Sequence, residues 1–208
     1  EAPIYRDTHT GIFFVSSYDR VVEVLRNPER FSSRFSAGLG GQAAANPKVR
    51  EVLAEGYPPV DTMLTADPPE HGRFRGLVNK AFTPRRVRKL SGRVQEIADG
   101  LIDSFASEGQ FEALDQYAVP LPLSVIAEQL GVPLNDLERF RRWTDGFTTQ
   151  LSGLAQKEDE VEAAKRIVEF QKYFAERIDE VAREPRDDIL SDLVRARIEG
   201  ERPLDVAE

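Results

Sequence analysis

The chain has 208 residues, no cysteine and a formal net charge of -8. That length suffices for one domain with a buried core, the missing thiols exclude a disulfide framework or thiolate chemistry within these residues, and the acidic balance argues against a general nucleic-acid binder. No apolar run approaches the ~20 residues that cross a bilayer, and the opening EAPIYRDTHTG lacks the basic and greasy parts of a signal peptide, so no membrane and a cytoplasmic location are expected.

In chain order, Ile4-Tyr5 and Gly11 to Val15 read as two short strands around a polar turn. Ser17 then opens a helix with Val21, Val22, Val24 and Leu25 on its inner side, stopped by Asn27-Pro28. Residues 31–66 are rich in Gly, Ala and Pro and read as a long loop with one short helix near Lys48 to Glu55. From Asp67 the chain is nearly all helix. Helices are expected from Pro68 to Phe82 and from Pro84 to Ala106. After a brief strand at Gln110 to Asp115, four more follow: Pro122 to Leu130, Leu134 to Leu151, Glu158 to Arg183 and Asp187 to Glu199. Residues 203–208 read as the start of another helix, so both ends are expected to be cuts. The expected fold class is mainly α with a small β portion, in a single partial domain over 1–208.

The segment at Asp67-Pro68-Pro69-Glu70-His71 carries the most information. Asp67 suits a helix N-cap, Pro68 the first helical position and Glu70 the capping-box position. Beyond it, Phe74, Leu77, Val78, Ala81 and Phe82 follow the spacing of a buried stripe. His71 and Arg75, one turn apart, fall beside that stripe. A guanidinium at an apolar edge needs an anion, and a carboxylate matches its fork. The pair therefore reads as a clamp for an acidic group against a greasy surface. A haem propionate is one such group; an Asp or Glu elsewhere in the protein is another.

The stretch from Leu64 through Asp67-Pro68-Pro69-Glu70-His71 to Arg75, followed by Ala81-Phe82-Thr83-Pro84, resembles the helix C region of soluble bacterial cytochromes P-450. Asn27 to Ser33 resembles the end of that family's helix B, Leu130-Gly131-Val132-Pro133 its E–F junction, and Asp187 to Leu193 its helix H. Four separated segments thus agree in order over nearly the whole chain. The resemblance implies the N-terminal part of the family's triangular-prism fold: strands and helix B over 1–30, the B–C loop over 31–66, helices C and D over 67–108, and helices E to H over 120–200. It implies haem b as cofactor, with His71 and Arg75 holding a propionate and Met63, Leu64 and Phe82 against the porphyrin. The iron's Cys, the oxygen-activating acid/alcohol pair and the Glu-x-x-Arg pair of the family are absent and are expected after Glu208. No catalytic residue and no metal ligand are therefore assigned in this chain, and alone it is expected to be inactive.

Eight cations between Arg73 and Arg93 stand against Glu70 alone over residues 68–93. On the wheel Arg73 and Lys80 point away from the apolar face and are expected to be exposed. With Arg85 and Arg86 they read either as a solvated surface or as a patch that steers an acidic partner, and the family implies a ferredoxin- or flavodoxin-type electron donor. Val60, Phe147 and Leu151 are candidate pocket walls, with Leu154 continuing the spacing of the last two. Two function classes follow. One is a haem-dependent monooxygenase that inserts an oxygen atom from O2 into an apolar organic substrate. The other is a non-catalytic helical binding or interaction protein derived from the same fold.

Overall fold

The structure is a computed structural model; it describes residues 3–9, 11–34, 46–152 and 157–208, without the side chains of 151, 152, 157 and 158. The two expected strands form. β1 (Ile4–Arg6) pairs antiparallel with β2 (Phe13–Val15), with Tyr5 opposite Phe14. The turn closes through Gly11, whose φ of 74° is the left-handed conformation that glycine adopts without a Cβ penalty. α1 (Tyr18–Leu25) follows, with Ser17 at the N-cap position but no side-chain cap bond. The expected inner side is a correction: α1 buries no residue, and Leu25 is 76% exposed. The apolar stripe is only partly covered: Val21, Val22 and Val24 are half-buried.

α2 (Pro47–Leu53) is capped by the Asn46 side chain and packs against the longest helix through fully buried Val49. α3 (Glu70–Ala81) and α4 (Pro84–Phe105) meet at a sharp corner. There the Thr83 hydroxyl accepts from the Arg86 N–H and Pro84 takes the first helical position. The strand expected at Gln110 to Asp115 does not form. Phe111 instead stacks on Phe105, with centroids 4.4 Å apart, and Leu114–Ala118 coil as one π-helical turn. A strand needs a second strand to pair with, and none of the described residues supplies one there.

α5 (Pro120–Gln129) ends at Gly131, with φ 70°, where the Val132 N–H reaches back to the Ala127 carbonyl at 2.8 Å. The main core lies where α6 (Leu137–Ser152) packs on α7 (Lys157–Arg183). Trp143 is its centre. Phe140, Phe170 and Phe174 meet the indole edge-on and Tyr173 packs 4.9 Å away, each such pair contributing about 0.5–1.5 kcal/mol beyond burial. α8 (Ile189–Arg195) is capped by Asp188, whose carboxylate accepts from the Ser191 N–H at 2.7 Å. It is shorter than expected, and residues 203–208 form no helix. There Glu208 accepts from Arg202, and Asp205 accepts from the Ala207 and Glu208 N–H groups. These local side-chain bonds offer the backbone an alternative to the helical ladder.

Candidate functional site

α3 and the turn that leads into it carry the candidate site. Residues 62–66 form a self-bonded turn. The Thr65 and Ala66 N–H groups donate to the Thr62 carbonyl at 3.0 and 2.8 Å, and the Thr62 N–H donates to the Thr65 hydroxyl at 3.0 Å. The turn buries Ala66 and turns Met63 and Leu64 outward; Leu64 is 62% exposed. Further along, α3 seats Phe74, Leu77 and Ala81 and packs on α8. Three of the five stripe positions are thus buried, while Phe82, at the C-cap, is 45% exposed.

The start of α3 departs from the expected capping. Helical structure begins at Glu70, after a cis Pro68-Pro69 peptide, and Pro69 occupies the cap position without a side-chain bond. Asp67 does not cap. Its carboxylate accepts from the Ser32 hydroxyl at 2.5 Å and the Ser33 N–H at 2.8 Å, with the Arg34 guanidinium 4.0 Å away. The Ser32 hydroxyl and then the Ser33 N–H hold the Asp67 carboxyl below its usual pKa. Sequence reasoning missed this tertiary role because Asp before Pro-Pro also fits a cap.

His71 is half-buried and Arg75 exposed, one turn apart on the same edge of α3. The His71 N–H donates to the Asp67 carbonyl at 3.1 Å, which fixes the first turn. Among the described residues, no side chain forms a hydrogen bond or ion pair with the Arg75 guanidinium or the His71 imidazole. Arg75 therefore has no internal salt bridge there. An unpaired guanidinium and an imidazole, flanked along the chain by outward-facing Met63, Leu64 and Phe82, fit an acidic group attached to a flat apolar body. Haem propionates meet that description. The iron's thiolate cannot come from these residues, which include no cysteine.

The basic stretch divides. Arg73 is not exposed, contrary to expectation. Its side chain is 8% exposed, pairs with the almost fully buried Glu208 carboxylate and lies 4.4 Å from the centroid of the Phe74 ring. Arg86 is also engaged, by Asp192 and by Asp187 at 3.4 Å. The wheel shows only a residue's own helix, so it could not reveal acids that arrive from residues 187–208. Lys80 and Arg85 are exposed and pair with no described residue. A shallow cleft of ≈ 180 Å³ lies among Lys80, Arg85, Arg86, Lys89, Asp187 and Asp192. Of the candidate pocket walls, Val60 is exposed and Phe147 meets Phe170 edge-on at 5.0 Å within the α6–α7 core. The Leu151 side chain and Leu154 lie outside the described residues.

No family model matches the chain. Among curated proteins, it is 42% identical over 185 residues to nocardicin C N-oxygenase of Nocardia uniformis subsp. tsuyamanensis, covering 88% of this chain and 43% of that protein. It is 37% identical over 186 residues to the cytochrome P-450 monooxygenase PikC of Streptomyces venezuelae, covering 88% of this chain and 40% of the relative. The solved cytochrome P-450 CYP109Q5 from Chondromyces apiculatus superposes with a TM-score of 0.76 at 33% identity, over 99% of this chain and 48% of its own. The chain belongs to the cytochrome P-450 family. It spans about half the length of the curated relatives it matches. Haem b is the cofactor of this family. The P-450 relationship covers both the helical body and the small two-stranded sheet. No helix among the described residues is long and apolar enough to cross a membrane.

Proposed function

We propose that this chain is the propionate-binding and pocket-wall part of a cytoplasmic haem-thiolate monooxygenase, which inserts one atom of O2 into an apolar organic substrate. The observation that carries this reading is the His71–Arg75 edge on a P-450 chain, whose imidazole and guanidinium form no side-chain hydrogen bond or ion pair among the described residues, with exposed Met63, Leu64 and Phe82 before and after it along the chain. Arg75 would hold a haem propionate through its fork of N–H donors and His71 would add an imidazole donor. Met63, Leu64 and Phe82 would lie against the porphyrin, and Val60 would line the approach of the substrate. When bound, haem supplies the oxygen-activating chemistry, and the protein contributes binding, orientation and exclusion of water.

Lys80 and Arg85 remain available to steer an acidic ferredoxin- or flavodoxin-type donor, whereas Arg73 and Arg86 are already engaged by acids. The relative named for N-oxygenation of nocardicin C adds nitrogen-bearing acceptors to the substrates worth screening. A reduced, carbon-monoxide-bound spectrum of the intact protein tests the proposal. A red-shifted thiolate-type band is expected. Well-folded protein that takes up no haem would overturn it and favour the non-catalytic binding protein.

A further inference from the structure

We propose that Asp67 is a positioning residue for the propionate clamp, acting as a clasp between residues 32–34 and the start of α3; this rests on the haem-binding reading above. The clasp joins points 35 residues apart in sequence, through the Ser32 hydroxyl at 2.5 Å and the Ser33 N–H at 2.8 Å. Arg34 extends it. Its guanidinium lies 4.0 Å from Asp67 and 3.9 Å from Asp61, so both sides of the 62–66 turn answer to one cation. That turn presents Met63 and Leu64.

On its main-chain side, Asp67 accepts the His71 N–H through its carbonyl. One residue thus fixes the amide of a clamp residue, while its carboxylate ties down the far end of the 34–66 segment. The carboxylate makes no cap bond to α3, so helix capping does not account for it. Two charge-assisted bonds and a shared cation restrict how the turn can move relative to His71. At metal centres, groups that orient a ligating residue without touching the metal typically change affinity about 10–100-fold when removed, and the same positioning logic applies to a residue that holds a propionate. Fixing the turn before haem arrives lowers the ordering cost of binding.

The test uses the intact haem-loaded protein and follows haem transfer to excess apomyoglobin, with amide exchange over residues 32–34 and 60–66 measured beside it. Asp67→Ala is expected to speed haem release about 10–100-fold and to raise exchange in those two segments. Ser32→Ala should shift both readouts in the same direction by less, and the double variant should be no worse than Asp67→Ala alone, because the two side chains form one contact. Asp67→Asn, which keeps an acceptor for the Ser33 N–H, should fall between wild type and alanine. Unchanged release in Asp67→Ala, additive effects in the double variant, or faster exchange spread evenly over the protein would overturn the clasp. Arg75→Ala separates the two ideas. If it releases haem and Asp67→Ala does not, the clasp alone fails; if neither releases haem, the propionate reading falls with it.

Discussion

Truncation of Arg75 separates a ligand-holding cation from a structural one. The guanidinium pairs with no described residue, so Arg75→Ala removes no ion pair among the described residues. A surface change of that kind alters stability by about 0.5 kcal/mol or less. A charge-assisted bond to a propionate contributes about 1.5–3 kcal/mol. At about 1.4 kcal/mol per factor of ten, its loss weakens haem retention roughly 10–100-fold. Arg75→Lys keeps the charge but not the paired donors and should lie between. Haem transfer to apomyoglobin measures retention, and denaturant unfolding of the same samples measures stability. Wild-type retention in Arg75→Ala would refute the reasoning. So would a loss of stability equal to the loss of affinity, since that would mean Arg75 holds the fold.

Two further outcomes rest on packing and charge. Glu128 accepts bidentately from Arg93, with Nε and one terminal nitrogen 2.9 and 2.5 Å from its two oxygens, and this bond holds the Glu128 carboxyl below its ordinary value of 4.5. A depressed carboxylate contributes stability that is present above its unfolded pKa and lost as pH falls through the folded one. Glu128→Gln should therefore lower stability at neutral pH and flatten the acid limb below about pH 4.5, as read from unfolding midpoints at stepped pH. In α3, a methyl group on Gly76 would meet Ile198 Cδ1 at 2.6 Å. Gly76→Ala is expected to gain little in wild type, where the clash opposes the helix preference. In an Ile198→Val background, which lacks that methyl, it should stabilise by about 1 kcal/mol relative to Ile198→Val alone.

Local patterns recovered the helices well wherever the signal was covalent or near in sequence. Pro84 after Thr83 and Gly131 after Leu130 mark corners that backbone chemistry dictates, and the structure turns there. The spacing of Phe74, Leu77 and Ala81 likewise identified the buried face of α3. Where the answer depended on a partner, the pattern failed. The apolar side of α1 is only half-buried, the strand expected near Phe111 pairs with no strand among the described residues, and Arg73 is enclosed rather than free.

The P-450 relationship and the His71–Arg75 pair were legible in the sequence because a helix places residues four apart on one edge wherever it lies. Which cations remain available was not legible. Arg86 is engaged by Asp187 and Asp192, and Arg73 by Glu208, acids from about 100 residues or more further along the chain. Asp67 shows the same division. Its sequence context fits a helix cap, but its carboxylate goes to Ser32 and Ser33, because two donors delivered by the fold satisfy it there. Sequence by itself determined helices, corners and the family; only the tertiary structure decided which charges are paired, since pairing depends on distance in space and not on spacing along the chain.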